Sequence, residues 1–196
     1  MNMYRILVAI LRFLFLIWGL DVEGTENIPQ EHGAIIAGNH RSWLDPVVIA
    51  VAIKRPIHFM AKAELFEYPI LGWLVSRLHA FPVKRGQADR QAIRTSHERV
   101  TAGHLLGIFP EGTRNKTGDA MLPLQGGAVL IALRSGVPIV PVVVARGRRR
   151  GLRKRFLVRI GTPIDLGGPQ KPKKEDIAQG SKAISAQFSS LLSRNN

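Results

Sequence analysis

Gly38-Asn39-His40-Arg41-Ser42-Trp43-Leu44-Asp45-Pro46 follows an apolar run of strand length at residues 34–38 and leads into a helical run at residues 47–53. Strand, irregular turn and helix in that order form one unit of an α/β sheet. His40 and Asp45 stand five positions apart. On a continuous helix that spacing separates the side chains in angle, so a contact between them requires a turn between strand and helix. Such a turn sets both at the edge of the sheet.

Two readings of the pair stay open on this segment alone. A histidine titrates near neutrality and takes a proton from an alcohol, while an adjacent carboxylate fixes its tautomer and stabilises the imidazolium. Alternatively, Asp45 caps the following helix, with Pro46 at its first position, and no chemistry is implied.

Outward from this unit, strand-length apolar runs at residues 57–60, 80–83, 105–109, 139–144 and 156–160 alternate with helical patterns at residues 68–78, 89–102, 127–134 and 174–193. The passage at residues 21–33 is short and polar. The alternation predicts a single α/β domain, a mixed β-sheet flanked by helices. The final helix carries Ile177, Ile184, Phe188 and Leu191 on one face and docks on the core. His97, in a stripe with Ile93 and Val100, reads as a partly buried structural residue. His32, His58, His79 and His104 have no sequence neighbours that single them out.

Phe109-Pro110-Glu111-Gly112-Thr113-Arg114 ends another strand candidate. Pro110 and Gly112 enforce an irregular turn, and Glu111 and Arg114 put opposite charges beyond the strand end. A guanidinium holds phosphate through two charge-assisted hydrogen bonds. A surface turn with a local ion pair is the plainer reading.

The 196 residues, 45% of them hydrophobic, suffice for one domain with a sizeable core. The absence of cysteine excludes disulfides, thiolate metal sites and cysteine nucleophiles, and allows a reducing cytosolic setting. No metal site is indicated. Lys and Arg number 28 against 14 acidic residues, a net charge of +14, which speaks of anionic partners. Residues 146–155 are dense in Arg and Lys, and no acidic residue occurs between Asp119 and Asp165. One reading is a solvated loop. The other is a patch for an anionic partner; the stretch lacks the aromatics that stack on nucleic acid, so a phosphate-rich membrane surface fits better and no nucleic acid is expected.

Residues 6–20 are apolar except for Arg12. A spanning helix needs ~20 apolar residues, and an arginine at the bilayer centre costs about 2.5–3.5 kcal/mol. On a helix Asn2, Arg5, Ala9, Arg12 and Gly19 fall near one face, a pattern that suits a helix lying in one leaflet. A tilted span and a buried helix are alternatives, and a signal peptide lacks its small-x-small cleavage pattern. The expected division is a membrane-interfacial helix at residues 1–20 and a catalytic domain at residues 21–196.

Taken in order as four blocks, the His40–Asp45 turn, Phe81-Pro82-Val83-Lys84-Arg85-Gly86, Phe109 to Arg114, and Val137-Pro138-Ile139-Val140-Pro141-Val142 resemble the glycerolipid acyltransferase family. Within it the chain is most similar to the bacterial 1-acylglycerol-3-phosphate acyltransferases, from about Gly24 to Gly161. The resemblance implies that His40 is the general base and Asp45 its orienting partner. It implies that Arg85, Glu111, Gly112, Thr113 and Arg114 bind the acceptor, and that Pro138 and Pro141 shape the acyl-donor site. Where many members carry an acidic residue before the second-block arginine and a serine after the third block, this chain has Lys84 and Asn115. The implied reaction moves a fatty acyl group from acyl-CoA or acyl carrier protein to the free hydroxyl of 1-acyl-sn-glycerol 3-phosphate, giving phosphatidic acid for phospholipid biosynthesis. No cofactor is expected beyond that donor. Another lysolipid, a lipid-linked amine, hydrolysis of the thioester, and a nonenzymatic anionic-lipid binder are the alternatives. The implied place is the inner, cytoplasmic membrane, peripheral or monotopic with the active site facing the cytoplasm, on anionic lipids; no oligomeric state follows.

Overall fold

The computed structural model describes residues 3–84, 89–117, 119, 121–150 and 153–194, without the side chains of Arg5, Leu16, residues 148–150 and residues 153–155. The strands are β1 Leu20–Glu23, β2 Ala34–Gly38, β3 Ile57–Lys62, β4 Phe81–Val83, β5 Leu105–Ile108, β6 Ile139–Arg150 and β7 Arg153–Ile160. The helices are α1 Met3–Trp18, α2 Asp45–Ala52, α3 Pro69–Arg77, α4 Arg90–Thr101, α5 Gly127–Ser135 and α6 Lys174–Ser193. One seven-stranded sheet has the order β1-β7-β6-β2-β5-β3-β4. All neighbours run parallel except β6 and β7, so the sheet is mixed.

β2 lies at the centre and is buried along its length, as an apolar parallel strand covered on both faces should be. Its side chains alternate. Ile35 and Ala37 join Leu106, Ile108, Ile139 and Val143 beneath α4, α5 and α6. Ala34 and Ile36 join Leu105, Val140 and Val142 beneath α1 and α2. Because β2 and β5 pair as Ala37↔Ile108, the loops that leave their carboxyl ends emerge side by side.

The strand unread in sequence is β1. Its four residues, Leu-Asp-Val-Glu, are too few and too polar to signal a strand alone; parallel pairing with β7, from Leu20↔Phe156 to Glu23↔Arg159, supplies the order. β6 and β7 are longer than their apolar runs suggest, because β6 continues from Val143 to Arg150 beyond the end of β2 and pairs with β7 as a basic hairpin.

α1 packs inward on Tyr4 and Phe15, both nearly fully buried, with Leu11 between them. Arg12, placed by the sequence on a polar outer face, turns inward instead. Its Nε and Nη2 donate to the Val51 carbonyl at 3.2 and 2.9 Å, satisfying a carbonyl near the end of α2. Ile6, Ile10, Phe13, Leu14, Ile17 and Trp18 are left exposed. Among the described residues no helix is long and apolar enough to cross a membrane; the 16 residues of α1 reach about 24 Å against a hydrocarbon core of about 30 Å.

Three histidines without distinction in sequence meet beneath α1. The ring of His58 stacks on His104 at 4.6 Å and tilts against His79 at 4.8 Å, and His79 stacks on Tyr4 at 4.7 Å. His79 closes α3 at φ 62°, a left-handed position usually given to glycine, and its buried Nδ1 has no hydrogen-bond partner. His97, by contrast, is exposed. Burial, then the neighbouring charges of His104, His79 and Arg99, push His58 down to about 4 from 6.5. Unfolded, this group takes up a proton near 6.5, whereas folded it stays neutral to about 4. Its contribution to stability is therefore complete above pH 6.5 and is lost as pH falls towards 4, by at most ~3 kcal/mol. Urea unfolding between pH 4 and 7 should show this decline in the wild type and a flatter one in His58→Phe; parallel declines would show that the cluster does not govern it.

Candidate active site

The chain leaves β2 at Gly38 and turns before α2. Within that turn Asp45 Oδ2 accepts the Arg41 and Ser42 backbone N–H groups, both at 2.6 Å, and faces His40 Nδ1 at 3.3 Å. Asp45 is the first residue of α2, whose N-cap is Leu44, and no side chain caps that helix. The carboxylate thus points back into the turn, and the capping reading of Asp45 is not what the structure shows. His40 and Asp45 are both buried. With Nδ1 turned to the carboxylate, Nε2 is the nitrogen left for a substrate.

The third-block loop after β5 grips His40 at three places. The Phe109 ring stacks on the imidazole at 4.2 Å. The His40 N–H donates to Glu111 Oε1 at 2.8 Å, and the Asn115 N–H donates to the His40 carbonyl at 2.7 Å. Glu111 is only 4% exposed, and its second oxygen accepts the Leu122 N–H at 3.0 Å. Both oxygens are therefore engaged by backbone, so the structure places Glu111 as a clamp on His40. Gly112, at φ 68°, occupies a conformation that a side chain would strain. Asn115 is buried and fastens its own loop, donating to the Asp119 carbonyl at 2.9 Å and accepting from the Thr117 N–H at 3.2 Å.

His40 lines an apolar groove of about 410 Å³. The groove is lined by Tyr4, Val8 and Leu11 of α1, Leu71, Leu74 and Val75 of α3, Val47 and Ala50 of α2, and Phe59 of β3, together with Trp43, Phe109 and Arg114. The Arg114 guanidinium lies over the Trp43 ring at 5.0 Å, a cation–π contact. A chain of methylenes fits such a lining, and an anionic headgroup fits the guanidinium within it.

Of the residues singled out in sequence, His40, Asp45, Glu111, Gly112 and Arg114 converge here, and Thr113 is exposed on the same loop. Arg85 lies outside the described residues. Pro138 and Pro141 do not line the groove. Pro138 accepts the Ile35 N–H at the start of β6, and Pro141 pairs with Ala37 within the sheet, its carbonyl accepting the Gly161 N–H. Sequence reasoning passed over Phe109, Trp43 and Asn115 as contacts of the site, and the groove itself, because its walls come from helices far apart in the chain. The apolar stripes of α1 and α3 were the available signal.

The Acyltransferase family matches residues 19–145, and the chain belongs to that family. It is 33% identical over 178 residues to the 1-acyl-sn-glycerol-3-phosphate acyltransferase of Bacillus subtilis, covering 88% of each chain. To the enzyme of the same name from Streptococcus pneumoniae it is 33% identical over 188 residues, 91% of this chain and 69% of that one. The crystal structure of the 1-acyl-sn-glycerophosphate acyltransferase from Thermotoga maritima superposes with a TM-score of 0.72 at 25% identity, covering 98% of this chain and 83% of that one.

The clamp carries a consequence distinct from substrate binding. Glu111→Gln replaces one acceptor with an amide N–H₂ facing a backbone donor, so unfolding stability should fall by about 1–3 kcal/mol and kcat by on the order of 10²-fold. The acceptor KM should stay unchanged. A KM that rises with kcat intact would show that Glu111 binds the acceptor instead.

Proposed function

We propose that the protein transfers a fatty acyl group from a thioester donor, acyl-CoA or acyl carrier protein, to the free hydroxyl of 1-acyl-sn-glycerol 3-phosphate, giving phosphatidic acid. The observation that carries this reading is His40 lining an apolar groove, with Nδ1 on Asp45 and Arg114 on the same lining. His40 Nε2 takes the proton as the hydroxyl oxygen attacks the thioester carbonyl. The C–O bond forms, the C–S bond breaks as the tetrahedral intermediate collapses, and the proton passes to the departing thiolate. No acyl-enzyme is needed. General-base assistance supplies about 10²- to 10⁴-fold; joint positioning of two substrates supplies much of the rest. Arg114, and Arg85 by resemblance, hold the acceptor phosphate.

The acceptor reaches the groove from a leaflet. Among the described residues, every large exposed apolar side chain belongs to α1, to the catalytic turn (Trp43, Leu44) or to the α3 region (Tyr68, Ile70, Trp73). These elements border the groove, which supports an interfacial role for α1 and peripheral attachment to a leaflet; the proposed side is the cytoplasmic one, where the thioester donors are. The basic β6–β7 hairpin leaves the same sheet edge as His40 and adds attraction to anionic lipid.

Offered a panel of lysolipids with each donor, the wild type should form phosphatidic acid from 1-acyl-sn-glycerol 3-phosphate, as read by mass spectrometry. His40→Ala should reduce transfer by at least ~10³-fold with the fold intact, and Asp45→Asn by less. Arg114→Lys should raise the acceptor KM and leave the donor KM alone. Undiminished turnover in a folded His40→Ala enzyme would sink the proposed chemistry.

Attachment is tested without disturbing the buried face of α1. Phe13→Ser with Ile17→Ser should weaken sedimentation with vesicles at every salt concentration, whereas neutralising the hairpin arginines should matter only at low salt. Equal binding of all forms throughout the series would dismiss both anchors.

A further inference from the structure

The helical layer on the other face of the sheet holds a second concave feature. A cleft of about 350 Å³ lies between α4 and α5, bordered by Arg90, Ile93, Arg94 and His97 on one side and Arg134 on the other. The α4 residues recur at helical spacing on one face. His97 Nδ1 lies 2.7 Å from Ser135 Oγ, fastening this face to the end of α5. All three arginines are exposed. Glu98 pairs with Arg94 at 3.0 Å, while Arg90 and Arg134 make no ion pair with any described residue.

One end of the cleft, Arg90 at the start of α4, lies at the catalytic edge, and Arg134, in the last turn of α5, lies toward the opposite edge. Asp89, immediately before Arg90, accepts the Lys84 and Ala92 N–H groups, each at 2.9 Å, so it ties the second block to the first turn of α4. β4 stands three places from β2 in the sheet, which is roughly 14 Å. The large exposed apolar side chains lie with α1, the catalytic turn and α3, so this layer faces water when those meet a leaflet.

Two arginines one turn apart on α4, facing a third on α5, match carboxylates repeated along an acidic helix of a partner. A nucleotide would need a slot for its base, and Ile93 is the single apolar residue bordering the cleft. We propose that the α4–α5 cleft docks the acidic surface of a carrier protein, which delivers its acyl thioester across the carboxyl edge to His40. This rests on the acyl-transfer reading above and names the donor's docking surface.

The test compares initial rates with palmitoyl-acyl carrier protein and palmitoyl-coenzyme A, for wild type and for Arg94→Glu with Arg134→Glu, at low and raised salt. For the double variant the KM of the carrier-bound donor should rise at least about tenfold. Its coenzyme A KM, its kcat and its unfolding midpoint should stay at wild-type values. Salt should raise the wild-type carrier KM and leave the variant's unmoved, and Arg94→Lys with Arg134→Lys should retain wild-type behaviour. An unchanged carrier KM, an equal rise for both donors, or a wild type that accepts coenzyme A alone would overturn the docking surface. Transfer by the wild type from neither donor would defeat the acyl-transfer reading itself, and the docking proposal with it.

Discussion

The Glu111 carboxylate, buried between the His40 and Leu122 backbone N–H groups, is the contact on which the rest of the site depends. A carboxylate removed from water needs hydrogen bonds to both oxygens, and it finds them only if the loops after β2 and β5 are in register. The sheet guarantees that register, because the two strands are parallel neighbours. Ligand sites of open α/β sheets arise at such carboxyl ends. Phe109 and Asn115 complete the hold on His40. The base is thus fixed by a neighbouring loop as much as by its own Asp45.

Much of this arrangement was legible in sequence, for physical reasons that differ by element. β2, α5 and α6 lie where their hydrophobic periods put them, because burial on the sheet and period agree. β1 was illegible because its order comes from pairing with β7. His40, Asp45 and the third block were legible as a set, and their convergence follows from two adjacent strand ends. The role of Glu111 was not: nothing in Phe-Pro-Glu-Gly-Thr-Arg distinguishes a carboxylate that meets substrate from one that meets the backbone of a residue 71 positions away. The His58, His79 and His104 cluster was equally hidden, since it forms between the start of β3, the end of α3 and the approach to β5.

α1 shows how an amphipathic pattern can be turned over. Sequence spacing puts Arg12 with the small residues on a polar face, yet its guanidinium reaches the end of α2 while Phe13, Ile17 and Trp18 face outward. A soluble domain leaves few large apolar side chains together on its surface. Here they gather on the elements that wall the groove, so the surface suited to lipid and the space suited to an acyl chain are continuous. The opposite helical layer is charged and suits a partner that arrives through water.

The central claim is that Asp45 and the third-block loop hold His40 with Nδ1 protonated and Nε2 bare, ready to accept the acceptor's proton. Nitrogen-15 chemical shifts of histidine-labelled protein, with the His40 signals assigned by their loss in His40→Gln, report this tautomer directly. The account predicts that neutral His40 is the Nδ1–H form in the wild type. A neutral imidazole carrying its proton on Nε2 would contradict it.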